Sequence, residues 1–121
     1  MKQEHFNKLN KRLINTSTKK GIFKNSSAYN QALYTQSELD ELKQSLTAYE
    51  NGLEYYTNSK GEKVNTISQI KDDYGDILNT IFNGIAFFKD EFTPLEAFEH
   101  SLVIFENRTG KMVNGQFKKD E

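Results

Sequence analysis

The chain has no cysteine and no tryptophan, and its 121 residues include one proline and two histidines. Without cysteine it can form no disulfide framework, no thiolate nucleophile and no cysteine-ligated zinc site. Two histidines leave little for any other metal, and no apolar run approaches the 18 residues of a membrane-spanning helix. A signal-peptide pattern is also missing at the N-terminus. We therefore expect a soluble cytoplasmic protein that makes no contact with a membrane.

Patterns that carry catalysis are also missing. His100 follows Glu99, and neighbouring residues on a helix point apart, so they form no acid–base pair. The glycines follow none of the spacings of phosphate-binding loops. Asp72, Asp73 and Asp76 lack the spacing and the terminal glutamate of an EF-hand, and we interpret them as the acidic start of a helix. We expect a non-enzymatic protein with no cofactor and no metal.

The net charge of −1 conceals an uneven distribution of charge. Residues 1–25 carry seven bases and one acid, a net charge of +6, whereas residues 26–107 carry five bases and fourteen acids, a net charge of −9. Residues 108–121 return to +2. Basic ends favour contact with phosphates, and an acidic middle favours a basic partner. Composition, at 36% hydrophobic and 27% charged residues, is that of one compact domain.

A repeat organises the chain. Residues 45–65 return 49 positions later as residues 94–114, without a gap and with eight identities in 21 positions. We interpret this as an internal duplication; the alternative is a chance agreement of two unrelated segments. The predicted divisions are a basic N-terminal helix and linker at 1–24, a first repeat at 25–68, and a second repeat with a short polar tail at 69–121.

The duplication changes the interpretation of residues 39–56. Their apolar side chains fall at spacings of three and four, which alone predicts one helix of about 20 residues or a coiled-coil strand. In the second copy, however, Thr93, Pro94 and Glu96 have the residue types of a helix start. We therefore predict a break near 43–45. Three short helices follow from this, at 28–34, 37–43 and 45–51, the second opened by a capping box of Thr35 and Glu38.

A β-hairpin is predicted after the third helix of each half. In the first half, residues 53–58 and 63–67 flank a turn that contains Gly61. In the second half, the β-branched and aromatic run 102–105 is followed by a turn at 107–110, and Met112 and Val113 with Gln116 and Phe117 form the return. The second half is also predicted to have helices at 72–82 and 85–92 before the capped one.

Three helices followed by a hairpin is the element order of a winged helix-turn-helix. We predict a mostly helical α+β fold, an internal dimer of two such units with paired central hairpins. The alternative is an all-α helical bundle. On this architecture and the duplication, residues 25–117 resemble the small TraN-type accessory DNA-binding proteins of Gram-positive conjugative plasmids, although no diagnostic motif is present.

The resemblance implies a regulatory or accessory role in conjugative transfer by type IV secretion. It further implies a monomer with an internal pseudo-dimer, which binds double-stranded DNA near an origin of transfer and has other transfer proteins as partners. The central strands would come from residues 53–67 and 102–117. The helices at 45–51 and 94–100 would read the DNA.

Basic, amide and hydroxyl side chains are the groups that contact phosphates and base edges. On and beside the first reading helix they are Lys43, Gln44, Ser45, Thr47 and Asn51. In the linker and turns they are Lys19, Lys20, Lys24, Lys60, Lys63, Arg108 and Lys111, whose alternative role is that of ordinary solvated residues. The second reading helix carries Glu96 and Glu99, a poor surface for phosphate. The rival hypothesis is therefore a protein-interaction module, such as a phage or plasmid inhibitor, that uses its acidic body.

Overall fold

The computed structural model describes residues 2–120, which are mostly helical with two small antiparallel hairpins. The chain divides into two compact units between Phe88 and Lys89. The first contains helices α1 (Gln3–Lys19), α2 (Ile22–Asn25), α3 (Ala28–Glu50) and α4 (Thr66–Ala86), with strands β1 (Tyr55–Thr57) and β2 (Lys63–Asn65). The second contains helix α5 (Pro94–Glu106) and strands β3 (Gly110–Val113) and β4 (Gln116–Lys119).

Helix α3 runs without interruption for 23 residues. Ser27 caps its start by accepting a hydrogen bond from the Asn30 N–H, and Gly52, at a φ of 73°, lies just past its end. The prediction of separate helices at 28–34, 37–43 and 45–51 is therefore wrong. The break was inferred from the proline of the second copy, but Ser45 stands at the equivalent position and keeps its backbone N–H.

The predicted capping box of Thr35 and Glu38 is wrong for the same reason. Thr35 lies inside α3, where its hydroxyl donates to the carbonyl of Gln31 and lies 2.7 Å from the hydroxyl of Thr80 on α4. Glu38 is therefore a mid-helix residue, and its carboxylate is free to face the neighbouring helix.

Helix α4 begins at Thr66, six residues before the predicted start at 72, because Asn65 caps it by accepting from the Ser68 N–H. It is one helix as far as Ala86, so the predicted helices at 72–82 and 85–92 are wrong in number and extent. The aspartates of α4 then lie well after the start of the helix, and its first turn has no acidic residue. Their interpretation as the acidic start of a helix is wrong.

Helices α3 and α4 pack antiparallel, since Ser45 contacts Asp73, Thr35 contacts Thr80, and the Gln31 Cβ lies near Gly84. Polar residues outnumber apolar ones among the buried side chains of the described chain. The apolar ones are Leu42, Ala48 and Ile77; the polar ones are Ser17, Gln31, Ser45, Thr66, Asp73 and Asn83. Hydrogen bonds therefore contribute much of what fixes the alignment of these helices.

Helix α1 packs on α4 through one face. The rings of Phe6 and Phe82 meet edge to face at 5.6 Å, and the Ser17 hydroxyl donates to Asn83 Oδ1 at 2.7 Å. The bases of α1 lie on the opposite, exposed face. No helix between residues 2 and 120 is both long and apolar enough to span a bilayer.

The hairpin predicted in the first half is confirmed, with shorter strands in which Tyr56 pairs with Val64. Its turn is local: Asn58 Oδ1 accepts from the N–H groups of Lys60 and Glu62, and Gly61 has a φ of 79°. The Thr66 hydroxyl donates to the carbonyl of Leu53 at 2.7 Å. This bond fixes the base of the hairpin to the start of α4.

In the second unit, α5 starts as predicted. Pro94 occupies the first turn, and Thr93 and Glu96 form a capping box. The helix continues to Glu106, so the predicted strand at 102–105 is wrong. β-propensity depends on packing against a neighbouring strand, and among residues 2–120 no strand pairs with this run. The hairpin forms further along and turns at Asn114 and Gly115, both with positive φ, inside the segment predicted to be its return strand.

The two repeat segments differ in conformation. Alignment of residues 45–65 with 94–114 sets strand β1 against the last turn of α5. The predicted division at 24/25 falls inside α2, and the division at 68/69 falls inside α4. The compact units therefore do not follow the repeat.

Candidate functional site

A cavity of about 250 Å³ opens between α3, α4 and the turn of the first hairpin. Carboxylates of all three elements line it, and a further carboxylate of α3 lies beside it. We call this group the acidic cleft: Glu38, Glu41, Glu62, Asp72, Asp73 and Asp76. Among the lining residues of the described chain, Lys60 is the one base.

The floor of the acidic cleft is a buried polar pair. Asp73 and Ser45 are both 0% exposed, and the Ser45 hydroxyl donates to Asp73 Oδ2 at 2.7 Å. The other oxygen, Oδ1, accepts from Gln69 Nε2 at 2.7 Å. A buried carboxylate is tolerated only when such donors replace its water. Asp73 therefore holds α3 and α4 in register and also contributes negative charge to the cleft.

Three more carboxylates meet at the side of the cleft. Oxygens of Glu38, Glu41 and Asp76 all lie within 4.8 Å of one another. The pKa of Glu38 is raised from 4.5 to about 7, first by burial, then by the charge and hydrogen bond of Glu41, and then by the charges of Asp76 and Asp73. Within the described chain, Glu38 Oε2 is buried and has no hydrogen-bond partner. The three groups are therefore short of compensating positive charge.

Neighbouring groups experience the same negative field. The pKa of Asp76 is raised by burial and then by the charges of Asp72, Asp73 and Glu41, and Lys60 offsets only part of this. The pKa of the Tyr56 phenol is raised by burial and then by the charge of Asp73. A cation that entered the cleft would lower the electrostatic energy of all these groups together.

Carboxylate oxygens at this density suit two kinds of cation. Glu38, Glu41 and Asp76 could hold a hard divalent ion, which prefers oxygen ligands. The larger cavity could take the ammonium or guanidinium end of a basic side chain, with charge-assisted hydrogen bonds to the carboxylates. Tyr56 and Asn58 add an aromatic ring and an amide to this lining.

The residues predicted to read DNA on α3 lie in different surroundings. Ser45 is wrong as a contact residue, because it is fully buried against Asp73. The Thr47 hydroxyl donates to the carbonyl of Lys43 in its own helix. Gln44 lines the acidic cleft, where carboxylates would repel a phosphate backbone. Lys43 is exposed on the same helix.

The other predicted DNA contacts lie in separate places. Asn51 caps the C-terminus of α3, and Lys60 lines the acidic cleft. The Lys63 ammonium lies 5.1 Å from the centre of the Tyr55 ring. Three exposed bases lie at the end of α1 and in α2, namely Lys19, Lys20 and Lys24. Arg108 and Lys111 are exposed in the second unit.

Sequence reasoning missed the carboxylate cluster. The available signal was a pair of acids three residues apart on each of two successive helices, Glu38 with Glu41 and Asp73 with Asp76. Residues at this spacing share one helix face. The inferred break in α3 concealed it, because Glu38 was then a capping residue and not part of a continuous face.

No protein-family model, curated protein or solved structure matches the chain. The resemblance to TraN-type proteins therefore stays a prediction. The acidic cleft and the basic face of α1 are the two surfaces of the first unit from which binding can be inferred.

Proposed function

We propose that the protein is a non-enzymatic interaction module whose acidic cleft binds a lysine or arginine side chain of a partner protein. The observation that carries this proposal is the group of three carboxylates within 4.8 Å of one another, with the pKa of Glu38 raised to about 7. A cation that binds between these carboxylates reduces their mutual repulsion and so stabilises the group. Without a bound cation, the repulsion among these carboxylates lowers the stability of the fold, and such destabilising groups are typical of binding sites.

A basic side chain fits the cleft better than a bare ion does. The cavity extends beyond the three carboxylates to Tyr56, Asn58 and Gln44, which a small ion at the carboxylates would leave unused. A guanidinium can pair with two carboxylates at once and stack on an aromatic ring. The excess of acids over bases in residues 26–107 would also speed the approach of a basic partner.

The test is the binding of a fluorescent peptide of alternating arginine and glycine, followed by anisotropy at low ionic strength. The double variant Glu41→Gln with Asp76→Asn is expected to weaken binding about tenfold, which corresponds to roughly 1.4 kcal/mol. The matched control, Asp90→Asn with Glu91→Gln, removes the same charge from the second unit and is expected to leave binding unchanged.

Two results would reject this proposal. In one, both double variants weaken binding equally, so that net charge alone is responsible. In the other, a peptide with glutamate in place of arginine binds as well. A calcium titration of the free protein, followed by amide chemical shifts, addresses the alternative: saturable shifts at Glu38, Glu41 and Asp76 without any effect of the peptide would favour a metal site.

A second candidate function is the binding of double-stranded DNA through α1. The observation that favours it is the exposed basic face of this helix, formed by Lys8, Lys11, Arg12 and Lys19, opposite the face that packs on α4. A row of bases gains affinity for phosphates by counterion release. This candidate does not depend on a winged helix-turn-helix or on a duplication. The resemblance to TraN-type proteins makes an origin of transfer the DNA to test.

A mobility-shift assay at increasing salt would decide the DNA candidate. Lys8→Ala with Lys11→Ala is expected to weaken binding and to reduce its salt dependence. Lys43→Ala with Lys63→Ala removes the same charge elsewhere in the first unit and is expected to have little effect. Absence of binding at low salt would reject the candidate.

A further inference from the structure

The second unit keeps its large apolar side chains in contact with solvent. Between residues 89 and 120 no residue is buried. The exposed fractions are 65% for Phe98, 41% for Leu102, 51% for Val103, 43% for Ile104, 55% for Phe105, 67% for Met112 and 37% for Phe117. Exposure of this extent within one small unit is unusual for a surface that stays in water.

The unit is too small to bury these apolar side chains in a core of its own. It comprises residues 89–121, and units below about 40 residues commonly need a disulfide, a metal or a partner to be stable. The chain has no cysteine. A partner surface would cover these side chains.

Part of the exposed apolar surface forms one continuous stripe. Phe98, Leu102 and Phe105 follow at spacings of four and three along one face of α5, and the Phe105 ring meets Phe117 of β4 edge to face at 5.9 Å. With about 200 Å² for each fully exposed large apolar side chain, the exposed fractions of Phe98, Leu102, Phe105 and Phe117 amount to roughly 400 Å². A standard interface buries about 800 Å² on each partner, so the stripe would form about half of one and the charged residues around it the rest.

The charges of the unit complement one another. Helix α5 carries Glu96, Glu99 and Glu106 and no lysine or arginine, a net charge of −3. Residues 107–120 carry Arg108, Lys111, Lys118, Lys119 and one acid, a net charge of +3. In a dimer with a two-fold axis, the acidic helix of each copy would lie against the basic hairpin of the other.

We propose that the second unit is a dimerisation element, covered by the second unit of another copy of the chain. The apolar stripe of Phe98, Leu102 and Phe105 with Phe117 forms the centre of the interface. The acidic helix and basic hairpin form its rim and set the antiparallel orientation, because the parallel one would bring like charges together. This inference is independent of what the first unit binds.

The test is the mass of the full chain in solution, measured by sedimentation equilibrium at concentrations from on the order of 1 μM to 100 μM. The wild-type chain is expected to reach twice the monomer mass, and Phe98→Glu is expected to stay at the monomer mass. Tyr29→Glu makes the same kind of change at a residue of α3 that is 73% exposed, and is expected to leave the dimer intact.

Charge reversal provides a test that does not remove apolar contacts. Lys111→Glu with Lys118→Glu makes the hairpin acidic, and Glu99→Lys with Glu106→Lys makes the helix basic. Each double variant alone is expected to be monomeric, whereas an equimolar mixture of the two is expected to dimerise, because every helix then faces a hairpin of opposite charge. Far-UV circular dichroism of each variant checks that it folds.

A wild-type chain that stays monomeric over the whole concentration range would overturn the proposal. So would a dimer that survives Phe98→Glu but is lost with Tyr29→Glu, because the interface would then lie on the first unit. A mixture of the charge-reversed variants that fails to associate, while the wild type dimerises, would overturn the antiparallel arrangement.

Discussion

Replacement of Glu38 by glutamine should stabilise the first unit at neutral and higher pH. The Glu38 carboxyl has its pKa raised from 4.5 to about 7 by burial and then by Glu41, Asp76 and Asp73. Ionised, it repels these neighbours, and its Oε2 is buried without a hydrogen-bond partner in the described chain. Glutamine has the same shape and no charge, and its amide can donate to Glu41.

The magnitude and the sign follow from the two pKa values. Below about pH 4.5 the group is protonated in both the folded and the unfolded chain, so the full stability of the fold is present. As the pH rises through 4.5 to 7, the unfolded chain releases its proton before the folded one does, and stability is lost. The full difference would be about 3 kcal/mol, but Glu38 is partly exposed and solvent screens its interactions, so we expect about 1 kcal/mol.

The assay is urea unfolding followed by circular dichroism at pH 4.5, 6 and 8. Glu38→Gln should match the wild type at pH 4.5 and exceed it by about 1 kcal/mol at pH 8, a rise of roughly 4–8 °C in melting temperature. The control is Asp40→Asn, an equal change of charge at an exposed position of the same helix. If Glu38→Gln destabilises at pH 8, or if its effect is the same at all three pH values, the carboxylate cluster is not repulsive and the reasoning fails.

Three further changes test other parts of the fold. Ser45→Ala removes one of the two donors to buried Asp73 and should cost about 1.5–3 kcal/mol of unfolding free energy in urea, whereas the same change at exposed Ser59 should cost little. Gly75→Ala should raise the melting temperature, with a gain of about 0.5–1 kcal/mol, because Gly75 lies inside α4 and an added Cβ meets nothing within 4 Å; a loss of stability would contradict this. Gly110→Ala should open the β3–β4 hairpin, because the new Cβ would collide with the carbonyl oxygen of Lys118. Amide exchange should then become fast in β3 and β4 and stay slow in α3 and α4; protected hairpin amides would show that the strands tolerate the methyl group.

Features determined by a few consecutive residues could be predicted from the sequence. The start of α5 is one example, since Thr93, Pro94 and Glu96 satisfy the free N–H groups of the first turn among themselves. The first hairpin is another, because Asn58 and Gly61 form its turn without help from distant residues. Such signals act over three or four residues, so the rest of the fold does not alter them.

Two of the errors had different origins. The break imposed on α3 came from a proline 49 residues away, although the continuous apolar spacing of residues 39–56 already favoured a long helix as far as Glu50. The run at 102–105 was predicted to be a strand from its β-branched residues. It follows a strong helix start without a glycine or proline between, and helix formation continued through it. Helical apolar spacing was the better guide in the first place, and the helix start at Thr93 was the better guide in the second.

The acidic cleft could not be predicted from the sequence, for a different reason. The excess of acids in the middle of the chain was visible, but its concentration in one place depends on the alignment of α3 with α4. That alignment is set by pairs such as Ser45 with Asp73 and Thr35 with Thr80, which are 28 and 45 residues apart. Serine and threonine in a helical stretch give no signal of such partners, so the register had to come from the structure.

The carboxylates of the cleft differ in what they contribute to folding, and this difference bears on function. Asp73 has a donor for each oxygen, and its charge is part of the packing of α3 on α4. Glu38 and Asp76 have raised pKa values because of burial and neighbouring acids, so in their charged forms they weaken the fold. Charged residues that make a fold less stable than neutral residues of the same shape would are typical of binding sites, where a ligand supplies the missing opposite charge. If Glu38→Gln stabilises the protein and also weakens its affinity for an arginine peptide, the two effects have one cause, namely uncompensated negative charge held ready for a cation.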